Sequence, residues 1–210
     1  MYVKSVSYDQ QQILRWILKL HCETDIELDP TYSKGGFYKK GIKAPKYKLD
    51  LFPSREGVVA ADAENLPIKS GSISTMIFDP PFLATKGKSL LESGSKGSNK
   101  TVRRFGCYPT EKELFTFYGN SLVEFKRILK PGGVLIFKCQ DKVSSGKQYF
   151  SHKFVMDRAE DLGYYLKDLF ILVVKNRMIP KWQTVNQQHA RKFHSYFLVL
   201  ENSNKKIIYT

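Results

Sequence analysis

The run SISTMIF at 72–78 leads straight into Asp79-Pro80-Pro81-Phe82. An exocyclic amine on a nucleic-acid base is a poor nucleophile, because its lone pair is conjugated into the ring. A carboxylate and a main-chain carbonyl that accept its two hydrogens draw the nitrogen toward a tetrahedral shape and free that pair. Asp79 and the Pro80 carbonyl can supply the two acceptors. Consecutive prolines fix φ and carry no N–H, so the carbonyl keeps its aim with little entropy to lose. Phe82 then offers a face on which a base can stack, a contact of ~1–3 kcal/mol. The plainer alternative is a strand closing in a Pro-Pro turn, with Phe82 in the core.

Asp79 is one of four acids placed alike. DIELDPT (25–31), YKLDLFP (47–53), GVVAADAENLP (57–67) and SISTMIFDPPF (72–82) each carry an apolar or β-branched stretch into an Asp and then a loop. Asp29, Asp50, Asp62 and Asp79 therefore fall at the carboxyl ends of successive strands, the edge at which open parallel sheets bind ligands.

The remaining elements complete an α/β pattern. Residues 7–20 put Ile13, Leu14, Trp16, Ile17, Leu18 and Leu20 behind a Ser7/Asp9 capping signal, the mark of an amphipathic helix. The following YSKGGFYKKGIKAPKY is rich in Gly and Lys and has no helical period. Thr110 to Glu113 is a capping box, and the helix it opens runs to Lys130-Pro131-Gly132-Gly133. VLIFKCQD (134–141) is a buried strand, 153–163 a helix closed by Gly163, and 165–176 another strand. The last strand, 194–202, pairs antiparallel with its predecessor, since nothing helical separates them. The expectation is a single domain over 1–210, a mostly parallel sheet of seven strands with an antiparallel C-terminal hairpin at one edge.

Residues 83–108 form a long mobile loop in this reading, with Lys86, Lys88, Lys96, Lys100, Arg103 and Arg104 against a single acid, Glu92. Lys and Arg number 34 in the whole chain against 20 Asp and Glu, a net charge of +14, which favours a polyanionic partner. Three scattered cysteines with no Cys-x-x-Cys pair argue against disulfides and zinc. No apolar run nears the ~20 residues of a membrane span and no signal peptide opens the chain, so a cytoplasmic protein without membrane attachment is expected.

In these motifs the chain resembles the S-adenosylmethionine-dependent amino-methyltransferases of the DNA adenine-N6 and cytosine-N4 group, whose signature is Asp/Asn/Ser-Pro-Pro-Tyr/Phe/Trp. RILKPGGVLIFK (127–138) is typical of class I methyltransferases and their Rossmann-like fold. The resemblance implies S-adenosylmethionine as cofactor and Asp79, Pro80, Pro81 and Phe82 as the catalytic clamp. Asp29, Gly35 and Gly36 would correspond to the first cofactor motif, Asp50 would face the ribose hydroxyls, and Asp62 with Ala63 would recognise the cofactor's adenine. One departure stands out: the family's Asp-Pro-Phe-x-Gly-Ser-Gly is replaced by DPTYSKGG, which leaves Tyr32 or Lys34 to take part of the glycines' role.

The implied substrate is a flipped or unpaired base in DNA, with adenine N6 favoured over cytosine N4. Lys86, Lys88, Lys100, Arg103, Arg104 and Phe105 would contact the nucleic acid, and residues 175–194 would form an opposite wall. Lys138, Gln140 and Asp141 stand close enough to the crevice to bind a base edge. Without a separate recognition domain, specificity is short, comes from the loops, or comes from a partner protein or a second copy. Two alternatives remain: the same chemistry on RNA or another amine, and a catalytically silent nucleic-acid-binding subunit.

Overall fold

The computed structural model describes residues 2–84, 108–175 and 187–205. Its elements, in chain order, are β1 (Val6–Ser7), α1 (Gln10–His21), β2 (Leu28–Asp29), β3 (Tyr47–Asp50), β4 (Val59–Ala60), β5 (Ile73–Phe78), α2 (Glu111–Ile128), β6 (Leu129–Cys139), β7 (Lys142–Ser144), β8 (Lys147–Tyr149), α3 (Ser151–Asp161), β9 (Tyr165–Val173) and β10 (His194–Glu201). Eight strands make one sheet in the order β1-β9-β10-β6-β5-β2-β3-β4, and β7 and β8 form a separate hairpin.

Every pairing in the large sheet is parallel except those of β10, which is antiparallel to both β6 and β9. The expected C-terminal hairpin is there, but β10 lies between β6 and β9, and the two-residue β1 covers the outer side of β9. That short strand brings the count to eight instead of seven. A two-residue strand has no periodicity from which to read it.

Alternating side chains fill the two faces of the sheet. Met76, Phe78, Leu135, Phe137 and Leu198 pack on one side with Leu114, Tyr118, Leu122 and Phe125 of α2 and Val155 and Ala159 of α3. Ile77, Ile136, Phe170, Phe197 and Val199 pack on the other with Ile13, Leu14, Trp16 and Ile17 of α1. Each Val, Leu, Ile, Phe or Met among them fully withdrawn from water contributes about 1.5–3 kcal/mol, so the amphipathic helices are held by burial more than by propensity. Their ends are specified locally. Asp9 Oδ1 accepts the Gln11 N–H at the start of α1, and Thr110 and Glu113 form the anticipated reciprocal box at the start of α2. After α2 the backbone of β6 comes so near β5 that a Cβ at Gly133 would lie 2.9 Å from the Lys130 carbonyl oxygen and 3.0 Å from that of Ile73. The helix thus ends at Ile128, and Pro131-Gly132-Gly133, expected to close it, lies instead within the irregular first part of β6, where the register with β5 shifts and Gly133 allows the close strand approach.

Strand order reverses between β2 and β5: from β2 the chain steps outward to β3 and β4, then returns to β5 on the other side. In such sheets the crevice at the carboxyl ends of those two strands receives ligands. Asp29 ends β2, and Asp79 follows β5.

Candidate active site

Asp29 and Asp79 are coupled through Thr31. The Thr31 hydroxyl donates to Asp29 Oδ1 at 3.0 Å and accepts the Asp79 N–H at 2.8 Å. Asp29 also accepts the Thr31 N–H on Oδ1 at 2.8 Å and the Tyr38 hydroxyl on Oδ2 at 2.7 Å. The residue is 1% exposed. Burial pushes its carboxyl up to about 7 against the pull of those donors, and the nearby Asp79 adds to the rise. Asp29 thus ties the β2 end, the 30–38 turns and the start of the Asp-Pro-Pro-Phe segment together.

Asp79 itself is partly open, with its side chain 24% exposed. Burial raises its carboxyl above the ordinary carboxylate range, opposed by the charge and hydrogen bond of Lys138. Lys138 Nζ, near the end of β6, lies 3.3 Å from Asp79 Oδ2. The same ammonium is 5.1 Å from the ring centre of Phe37 and 5.6 Å from those of Phe82 and Phe197. Phe82 is half-buried and lends its ring to this box.

The Pro-Pro-Phe backbone is held from below. The Tyr118 hydroxyl donates to the Pro81 carbonyl at 2.6 Å, and Lys142 Nζ donates to the Phe82 carbonyl at 2.7 Å. Lys142 is paired with Glu111 at 2.6 Å, both side chains being nearly buried. No described residue donates to the Pro80 carbonyl, the acceptor that pairs with Asp79 in the sequence reading.

The other acids take distinct settings. Asp50, at the end of β3, accepts the Ser33 N–H on Oδ2 and the Phe52 N–H on Oδ1, both at 2.9 Å. Burial raises its carboxyl, against those two donors. Asp62, two residues past β4, is exposed and accepts the Glu64 N–H on Oδ1 at 2.9 Å. Ala63 is 5% exposed and belongs to the core, which fixes the backbone beside Asp62. Gly35 has φ 67, and a Cβ there would stand 2.7 Å from the Tyr32 hydroxyl. Tyr32 stacks on Tyr38 at 5.2 Å. Gly36 accepts from Gln11 Nε2 at 3.0 Å through its carbonyl. The departure from the glycine-rich pattern therefore has a physical counterpart: a tyrosine ring packs over Gly35.

Of the three residues near the end of β6, Lys138 meets Asp79, while Gln140 donates to the His194 carbonyl at 2.9 Å and Asp141 meets His152 Nδ1 at 2.8 Å. The Lys138 box was not legible beforehand. Lys86, Lys88, Lys100, Arg103, Arg104 and Phe105 lie outside the described residues. Among the described residues no group of His, Cys, Asp and Glu could hold a metal, and no helix is long and apolar enough to cross a membrane.

No family model and no curated protein matches the chain. Solved structures do. A candidate sarcosine dimethylglycine methyltransferase from Galdieria sulphuraria aligns with TM-score 0.56 at 12% identity, over 93% of this chain and 86% of its own. TrmN from Thermus thermophilus aligns with TM-score 0.52 at 16% identity, over 91% of this chain and 48% of its own. The cytosine-N4-specific PvuII DNA methyltransferase aligns with TM-score 0.46 at 16% identity, over 70% and 49%. The chain spans about half the length of the last two. The fold is the Rossmann-like methyltransferase fold.

Proposed function

We propose that the protein transfers a methyl group from S-adenosylmethionine to an exocyclic amine of a flipped or unpaired base in DNA, adenine N6 in preference to cytosine N4. The observation that carries the reading is the pairing of a partly open Asp79 with a braced Pro-Pro-Phe backbone at the strand-order switch. In this reading Asp79 Oδ and the Pro80 carbonyl each accept one hydrogen of the acceptor amine, and Phe82 stacks against its base. Bracing of Pro81 and Phe82 by Tyr118 and Lys142 limits how far the Pro80 carbonyl can drift from its aim. No strong base is required, because the proton leaves for water after the nitrogen has become cationic.

The residues present fit the cofactor. Asp50 is oriented by two backbone N–H groups and keeps lone pairs for a ribose diol. Asp62 is exposed and commits Oδ1 to its own turn, which leaves Oδ2 for an adenine amine. When bound, the cofactor supplies an electrophilic methyl on a sulfonium. Asp29, with both oxygens engaged by Thr31 and Tyr38, acts here by ordering the surrounding turns, and Tyr32, Gly35 and Gly36 form the wall beside it.

That same wall favours the second reading, a silent nucleic-acid-binding subunit, because the tyrosine occupies space that the related pattern keeps for glycines. Calorimetric titration with S-adenosylmethionine separates the two. Saturable binding, weakened about tenfold or more by Asp62→Ala as expected for loss of a hydrogen bond to a charged group, supports the transferase; absence of binding supports the silent subunit. Methyl incorporation into DNA and RNA substrates, with Asp79→Ala beside the parent, then tests the clamp and the substrate. Full activity of that variant overturns the assignment of Asp79.

A further inference from the structure

The connection from β2 to β3, residues 30–46, is a parallel crossover, for which a helix is the usual solution. Here it is a strap of turns, with no helix. It is anchored inward by Phe37 and Ile42 in the core, by Tyr38 on Asp29, and by the Gly36 carbonyl, which accepts from Gln11 at the start of α1. Outward it presents Lys34, Lys39, Lys40, Lys43 and Lys46, all exposed, followed by Lys48 on β3. No acid occurs between Asp29 and Asp50.

Two further cations reinforce the charge: Arg15 donates to the Lys40 carbonyl at 3.1 Å and Arg55 to the Lys34 carbonyl at 2.9 Å. Lys40 and Lys43 pair with Asp9 and Asp25, whereas the side chains of Lys34 and Lys39 meet no described acid. Like charges crowded on one strap repel, and exposed ammonium groups contribute little to the fold. A polyanion covering them would account for their concentration.

The strap's apex lies at the same edge of the sheet as Asp79. Ser33 is bonded to Asp50 at the carboxyl end of β3, and Gly36 meets the N-terminus of α1, which begins where β1 ends. A membrane-binding strap would set apolar side chains among its lysines, but Phe37 and Ile42 are buried. We propose that residues 34–40 are a contact surface for the phosphate backbone of the nucleic-acid substrate. This inference rests on the nucleic-acid reading of the site above.

The test is fluorescence-anisotropy titration of a short labelled DNA duplex across a salt series. It compares the parent with Lys34→Gln/Lys39→Gln and with a control of equal net charge, Lys19→Gln/Lys69→Gln, whose exposed lysines lie by the opposite edge. Removing one lysine–phosphate pairing lowers the slope of log K against log salt by about 0.9, so the strap variant should fall by about 1.8 and the control should match the parent. Equal weakening of both variants would assign the effect to net charge and overturn the strap, as would a parent that binds no duplex. A strap variant that binds duplex normally and has lost only its affinity for phosphatidylserine vesicles would overturn it in favour of a membrane surface. Calorimetry with S-adenosylmethionine on the same proteins keeps the two ideas apart. Cofactor binding without a strap effect sinks only the strap, and a strap effect without cofactor binding sinks only the transferase.

Discussion

Lys138 Nζ stands 3.3 Å from Asp79 Oδ2, enclosed by the rings of Phe37, Phe82 and Phe197. A buried ammonium is costly unless paired, and here a carboxylate and three aromatic faces, each contributing roughly 0.5–2 kcal/mol, offset the cost. The consequence falls on Asp79. Burial alone would keep its carboxyl protonated to higher pH, and Lys138 opposes that shift. In the proposed clamp an ionised Asp79 accepts from the amine more strongly than a protonated one, which keeps one carbonyl acceptor and adds an O–H that must itself find a partner.

Lys138→Met keeps the bulk of the box and removes the charge. Asp79 should then titrate at higher pH, so if the chain catalyses the proposed methyl transfer the acid limb of its rate profile should move up by on the order of one pH unit, with recovery toward parental rates on the alkaline side. A pH–kcat profile of the two proteins checks this. An unmoved acid limb would mean that the ion pair does not set the ionisation of Asp79.

Tyr118→Phe retains the ring among Phe115, Phe117 and Phe137 but deletes the donor to the Pro81 carbonyl. The expected cost is about 1 kcal/mol of stability, read from urea denaturation. If Tyr118 also positions the neighbouring Pro80 carbonyl, kcat should fall severalfold while KM changes little. Parallel changes in both parameters would assign the bond to folding alone.

Much of this arrangement was visible in the sequence, for reasons that are local. Asp50 ends β3 and Asp79 directly follows β5 because apolar runs give way to an Asp and a loop, and the Thr110–Glu113 box starts α2 as read. The absence of a helix after Asp29 was equally legible from the Gly and Lys content of 30–46. The β7–β8 hairpin was missed although Ser145 and Gly146, both with positive φ, make the tight turn, and a Ser-Gly dipeptide between Val143 and Tyr149 is a recognisable signal. The Lys138–Asp79 pair had no such signal. Its partners are 59 residues apart and meet only because β5 and β6 pair in one particular register. The cluster of Asp141, His152 and Tyr196 is similar: it joins residues from three regions of chain.

Lys142 and Glu111 form a buried pair that also reaches the Phe82 carbonyl. Burial lowers the lysine's proton affinity, and Glu111 counteracts that. Lys142→Met should leave the Glu111 carboxylate buried without its partner and cost about 3–5 kcal/mol. Pairing it with Glu111→Gln should recover a substantial part, because the stranded charge is then gone. A double-mutant cycle in urea gives the coupling, and strict additivity of the two losses would contradict the pairing.

Asp29 carries the clearest pH dependence of stability. Its folded carboxyl titrates at about 7 against 3.8 for the free group, so the folded state holds a proton that the unfolded state has released throughout the interval between those values. Stability from this group is therefore fully present below pH 3.8 and is lost as pH rises toward 7. Asp29→Asn imitates the protonated acid: its carbonyl can accept from Thr31 and its amide can donate to the Tyr38 oxygen. The variant should match the parent in acid and gain on it steadily with pH, levelling above neutrality at a difference of about 4 kcal/mol, at ~1.4 kcal/mol per pH unit. Urea midpoints measured across the interval check both sign and window. A variant that is less stable than the parent at neutral pH would show that Asp29 is needed there as an ionised acceptor for Tyr38 and Thr31, and that its burial is not what limits stability.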